Sequence, residues 1–154
     1  MKIPETSVKL NSTNLYEEDY YLWLVATEKS LREGKLTELD LVNLMEEIAD
    51  MGRSEKRAIE SNLEILLMHL LKYKYQPEKR SNSWRYTIKE HRNRLKKSFR
   101  DSPSLKGYFN QIFDQCYQEA RDLAATETGL VLDTFPEKCP FNPETTLNPD
   151  YLPE

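Results

Sequence analysis

The sequence predicts an all-α fold, a helical bundle of four to five helices with an extended Pro-rich C-terminal tail. Three observations carry this. Apolar residues recur at intervals of three and four as far as Gly129. No stretch shows strand-like alternation, an internal repeat or low complexity. Capping residues, glycines and prolines stand where such helices would start and stop. A chain of 154 residues has the size of one domain and can bury a core without staples. Charged residues make up 31%, yet the leucines, isoleucines and aromatics are helically spaced, which sets the chain apart from a disordered polyelectrolyte.

Taken in order, residues 1–14 are polar and aperiodic and are expected to form a flexible N-terminal segment. Residues 15–132 are expected to form the bundle, and residues 133–154 a tail packed on it, one domain overall. The first helix should run from Tyr16 to Glu33, with Glu17, Glu18 and Asp19 where the macrodipole favours them and Gly34 as the stop. Its inner face would be Tyr20, Trp23, Leu24, Thr27 and Leu31. Thr37 is placed to cap a second helix, with Asp40 three residues on in a weak capping box, and Leu41, Leu44, Met45 and Ile48 would face inward. Gly52 then interrupts the pattern, as a stop or as a kink.

The central helix of the bundle should be Ile59–Tyr75, where Ile59, Leu63, Leu66, Leu70 and Tyr73 keep helical spacing and Ile65, Leu67, Met68 and Leu71 fill the flanks. It is too short in apolar residues to cross a bilayer, which needs about 20, and Pro77 ends it. Glu55, Asn62, His69 and Gln76, each seven apart, form a polar seam along one flank. Ser81 to Ser83 can cap a basic amphipathic helix reaching Arg100, with Trp84, Ile88, His91, Leu95 and Phe99 on one stripe. Ser102 and Pro103 fit the N-cap and first position of a fifth helix, closed by Gly129. After Asp133 the prolines exclude long helices, whereas Phe135, Phe141, Leu147, Tyr151 and Leu152 supply anchors, with room for one helical turn.

Charge is segregated. Residues 1–68 carry a net −6, residues 69–106 a net +9 and residues 107–154 a net −7. A basic middle between acidic flanks fits either oppositely charged helices lying side by side or an anion-binding face, and the acidic overall balance favours the first. Within residues 72–100, Lys72, Lys79, Arg80, Arg85, Lys89 and Arg92 interleave with Tyr75 and Tyr86, the residue types that hold phosphates and stack on bases. Cys116 and Cys139 form neither a metal knuckle nor a CxxC pair, so free structural thiols and a cytoplasmic location are expected.

Candidate chemistry is sparse. Glu47, His69 and His91 are the candidates for acid–base work, and Asp40, Glu47 and His69 for a divalent metal held between helices. No Glu-x-x-His pair supports that set, and ordinary ion pairs and a hydrogen-bonded core histidine account for the same residues. Nucleophile elbows, P-loops and dinucleotide fingerprints are absent from the sequence.

The runs HLLKYKYQP (69–77), SWRYTI (83–88), PSL (103–105), YQEA (117–120) and TFPEKCPF (134–141), with LYEEDYYLWL, LRxGK and ELDLVNLMEEI before them and NPDYLP after, resemble the bacterial and cyanobacterial domain-of-unknown-function family twenty-nine. The resemblance runs in order from Leu15 to the C-terminus. It implies an all-α fold and no activity, so it brings no catalytic residues with it. The functional reading is therefore a non-enzymatic binding module. It would act through a protein partner or self-association, or through nucleic acid on the basic segment 72–100, with no cofactor and no membrane. The alternative is a metal-assisted hydrolase or nuclease with a carboxylate and histidine site.

Overall fold

A computed structural model describes residues 15–154, and the expectation for residues 1–14 lies outside the described residues. The described chain is a helical bundle without strands. Residues 15–18 are helical, followed by α1 (Tyr20–Arg32), a 3-10 turn at Leu36–Glu38, α2 (Leu41–Tyr75), a second turn at Pro77–Lys79, α3 (Asn82–Asp101) and α4 (Leu105–Thr128). A third turn at Leu132–Thr134 and the short α5 (Pro143–Leu147) complete it. Two compact units divide at Arg53/Ser54.

In the first unit, Asp19 leaves the helical conformation and its carboxylate accepts from the Leu22 N–H at 2.9 Å, so the helix restarts there as α1. Lys29 and Arg32 lie in its last turn, the favourable end of the dipole. Gly34 at φ 69° then closes it, the left-handed turn that costs glycine least. The next start differs from the sequence expectation. Thr37 lies in the 3-10 turn, and Asp40 caps α2 instead, its carboxylate accepting from the Asn43 backbone N–H at 3.3 Å and side-chain amide at 2.6 Å. A carboxylate directly preceding the first helical residue satisfies an orphan donor where a threonine one turn earlier cannot.

The inner faces expected for this unit are only partly covered. Trp23 is fully buried and Leu39 nearly so, with Thr27 and Leu44 half-buried, but Tyr20, Leu24, Leu31, Leu41, Met45 and Ile48 are exposed. Two helices bury only the strip where they meet, and an apolar arc wider than that strip needs a further layer.

Helix α2 runs unbroken through Gly52, which resolves the choice between stop and kink. A mid-helix glycine costs only about 1 kcal/mol, and Gly52 lacks the positive φ with which Gly34 and Gly129 end their helices. From Ser54 onward, the second unit has one apolar cluster. Ile59, Leu63, Leu66, Leu67, Leu70 and Leu71 of α2 meet Ile88 and Leu95 of α3, Phe109, Phe113, Cys116, Tyr117, Ala120 and Ala124 of α4, and Phe135, Phe141 and Leu147 from beyond α4. Ser81 caps α3 as expected, accepting from the Trp84 N–H at 3.2 Å. Ser102 and Pro103 form a turn before α4 in place of its first residues, so that helix begins at Leu105.

Residues 135–153 have few regular backbone bonds of their own, and side chains of the helices satisfy their carbonyls. The Phe135 carbonyl accepts from Arg121 Nε at 2.9 Å, the Pro136 carbonyl from the Tyr117 hydroxyl, and the Glu137 carbonyl from Gln118 Nε2 at 2.8 Å. The Thr146 carbonyl accepts from Arg92 Nε at 2.8 Å and the Pro153 carbonyl from Arg80 Nη2 at 3.2 Å. Buried carbonyls need partners, and α3, α4 and the turn at Pro77–Lys79 with its following Arg80 provide them.

Candidate functional site

The eight residues of the basic segment separate into two groups. Lys72 is buried, its ammonium 2.6 Å from the Glu127 carboxylate and 4.6 Å from the centre of the Trp84 ring. Arg80 lies 4.4 Å over the Tyr73 ring and donates to the Tyr73 carbonyl at 2.7 Å. Arg92 is only 2% exposed. Tyr75 meets Phe135 edge-on at 5.6 Å. By contrast Lys79, Arg85, Tyr86 and Lys89 are exposed, Tyr86 to 66%. Helical spacing separates Lys89 from the buried stripe of Ile88, Arg92 and Leu95, but not Arg85, which stands seven before Arg92 on that same stripe near the start of α3 and is exposed there.

Arg85, Ile88, Lys89, Arg92 and Asn93 of α3 and Pro149, Asp150 and Leu152 line a cavity of about 350 Å³. Asn93, Pro149 and Asp150 were not candidates from sequence. Asn93 follows Lys89 by four on α3, a usable signal, but nothing in the chain order brings residues 149–152 there.

The two histidines share one arrangement. His69 Nδ1 lies 2.9 Å from the Ile65 carbonyl and His91 Nδ1 lies 2.8 Å from the Thr87 carbonyl, each one turn back. A carbonyl only accepts, so each Nδ1 carries the proton and each Nε2 is the free acceptor in the neutral ring. Burial lowers the pKa of His69, with a smaller opposing pull from its bond to Ile65 and weaker influences from Lys72, Glu127 and His91. The folded protein therefore holds this ring neutral, while the unfolded chain protonates it near the ordinary 6.5. The stability so gained is present above pH 6.5 and falls away as pH drops below it. Thermal midpoints measured between pH 7.5 and 5.5 should decline less steeply in His69→Gln than in the parent, and equal slopes would contradict this assignment.

Glu47 is fully engaged: one carboxylate oxygen accepts from the Tyr16 hydroxyl at 2.5 Å and the other from the Tyr20 hydroxyl at 2.6 Å. The same contact pushes the Tyr16 pKa up to about 12. Asp40 is committed to its cap. Among the described residues no three of His, Cys, Asp and Glu converge as a metal would require. Cys116 and Cys139 are free thiols, and burial pushes their pKa values up to about 12 and about 11, away from the reactive thiolate.

An apolar face is also uncovered. Leu41, Val42, Met45, Ile48 and Met51 of α2 are between 56% and 68% exposed, and Tyr20, Tyr21, Leu22, Leu24, Val25 and Leu31 of α1 are exposed as well. No helix among the described residues is long and apolar enough to cross a membrane.

The class these features define is an all-helical domain with an exposed apolar helix face and a basic helix, part of whose charge serves internal bonding. The chain belongs to the family described as domain of unknown function DUF29, whose model matches residues 15–152. No curated protein and no solved structure matches it.

Proposed function

We propose that the protein is a non-enzymatic protein-binding module that self-associates through the apolar face of its first unit. The observation that carries this reading is the exposure of Leu41, Met45 and Ile48, at 56%, 62% and 61%, on one stripe of α2. Their spacing of four and three is that of a buried helix face. With Val42 and Met51 beside them, the stripe is a run of large exposed apolar side chains of the kind that marks an interaction surface.

A second copy is the occupant that the flanking charges suit. Glu46 and Arg53 stand on the same side of the stripe, where Arg53 pairs with Asp50 and, at 3.8 Å, with Glu46 of its own helix; an antiparallel pairing with a two-fold axis near Ala49 sets Glu46 of each copy against Arg53 of the other, so that these pairs can be exchanged between copies in a self-complementary arrangement. Gly52, beside which a Cβ would meet nothing within 4 Å, leaves room for close approach. The sequence alternatives fare unequally: Glu47 and Asp40 already have hydrogen-bond duties, so a carboxylate and histidine centre has less to support it.

The test is mass by light scattering and sedimentation in roughly tenfold concentration steps about a micromolar Kd, which corresponds to about −8 kcal/mol. The parent is expected to be a dimer, and Met45→Glu/Ile48→Glu a monomer with unchanged helicity. A parent that stays monomeric throughout, or a double variant that dimerises equally, would refute the proposal.

A further inference from the structure

A guanidinium without a counter-charge lies beside the cavity between α3 and the C-terminal segment. Arg92 is 98% buried by its 2% exposure, its Nε is spent on the Thr146 carbonyl, and its Nη2 is buried with no hydrogen-bond partner. Among the described residues it forms no ion pair. Arg121, which also serves the C-terminal segment through its Nε, has Asp133 3.7 Å from its Nη2, and buried Lys72 has Glu127. Arg92 alone of these three buried or nearly buried cations has no carboxylate. An unpaired buried charge is unfavourable, and an anion offsets that cost if it can reach the donors.

The surroundings favour an anion. Arg85 and Lys89 line the same cavity, on α3 two turns and one turn before Asn93, while Asp150 is its only acidic lining residue. Arg85 uses one amine on the Asn82 side chain at 3.0 Å and keeps others free. Three cations against one carboxylate leave a net charge near that needed to hold a dianion. The fork of a guanidinium and the point charge of an ammonium together suit the tetrahedral oxygens of phosphate. Asn93 adds a neutral amide donor, and Ile88, Pro149 and Leu152 give the cavity apolar walls that limit its hydration.

We infer that this cavity is a binding site for a phosphate group, with Arg92, Arg85 and Lys89 as its donors. A volume of about 350 Å³ admits orthophosphate or pyrophosphate, or the phosphorylated end of a small molecule, and not a folded nucleic-acid duplex. All of the cavity's lining residues belong to the second unit, whereas the self-association surface belongs to the first.

The experiment is a titration of the full chain with inorganic phosphate and pyrophosphate, followed by amide chemical shifts and calorimetry, with sodium chloride at matched ionic strength as control. Saturable shifts confined to residues 85–93 and 149–152 are expected. Because Arg92 also holds α5, its replacement can unfold the protein. Arg85→Gln/Lys89→Gln is therefore the deciding variant and should weaken binding at least tenfold, whereas Asp150→Asn should tighten it several-fold by removing the one repelling carboxylate. The same titration with a single-stranded oligonucleotide separates the other source of phosphate. Oligonucleotide binding with a steep salt dependence, in the absence of any orthophosphate or pyrophosphate response, would overturn the inference. Shifts equal to those of the chloride control, or a double variant that binds phosphate like the parent, would overturn it as well.

Discussion

Replacing Phe135 with Ala is expected to lower the unfolding free energy by about 3–5 kcal/mol, the range for emptying a fully buried phenylalanine site. Phe135 has no exposed surface, its ring meets Tyr75 edge-on at 5.6 Å, and it belongs to the cluster formed by α2, α3 and α4. The cavity is only part of the effect. Phe135 is followed by the residues whose carbonyls take donors from Tyr117, Gln118 and, at Phe135 itself, Arg121. If the ring no longer anchors them, those donors lose their acceptors, and a buried donor left alone costs about 1–3 kcal/mol. Urea unfolding measures the change directly. Phe135→Leu, which refills much of the volume, should recover more than half of the loss. A Phe135→Ala unfolding free energy within about 1 kcal/mol of the parent's would mean that the segment after α4 adds little to the fold.

That segment shows how much of the structure the sequence made legible. Its aromatic anchors were readable because Phe135 and Phe141 have no reason to stand in a solvated tail, and both are buried. Its attachment was less readable. Arg80, Arg92 and Arg121 look in sequence like surface charge, yet each donates to a carbonyl of residues 135–153. Composition counts a guanidinium as a charge, whereas here it serves as a hydrogen-bond donor to an irregular backbone, and only the three-dimensional path of that backbone reveals the acceptor. The basic character of residues 69–106 thus has two origins: spacing sets Lys89 off the stripe of Ile88, Arg92 and Leu95, whereas Arg85, seven before Arg92 on that stripe, differs from it only in what covers that end of the helix.

At the other end of the chain, local signals did better than global ones. Helical stripes on α1 and α2 were correct as stripes, but periodicity says only that a face is apolar and not what covers it. Met45 and Ile48 were assigned to an interior and are exposed. Asp40 and Glu47 looked like ligands because carboxylates on one flank of a helix can be. Their actual partners, the Asn43 amides and the Tyr16 and Tyr20 hydroxyls, differ in how visible they were: the first is local, and the second spans about 30 residues.

Trp23→Ala is expected to have an effect as large as Phe135→Ala, concentrated on the first unit. Trp23 is the one large side chain of α1 with almost no exposure; its ring lies 4.9 Å from that of Tyr16 and 6.2 Å from that of Tyr20. Truncation of a buried tryptophan costs about 3–5 kcal/mol. Little else holds α1, because Leu24 and Leu31 are exposed and the tyrosine bonds to Glu47 depend on rings that stack against Trp23. Hydrogen exchange should therefore show protection lost across residues 20–32 while the amides of residues 59–75 remain slow, the pattern of a local opening. Trp23→Phe provides the control. The indole N–H is buried without a partner, so a ring lacking it sacrifices no hydrogen bond and pays only for volume. It should retain most of the protection of α1. If Trp23→Ala left exchange in α1 unchanged, the helix would be held by something other than its one buried ring; if it slowed nowhere but sped up throughout residues 59–75, the two units would unfold together.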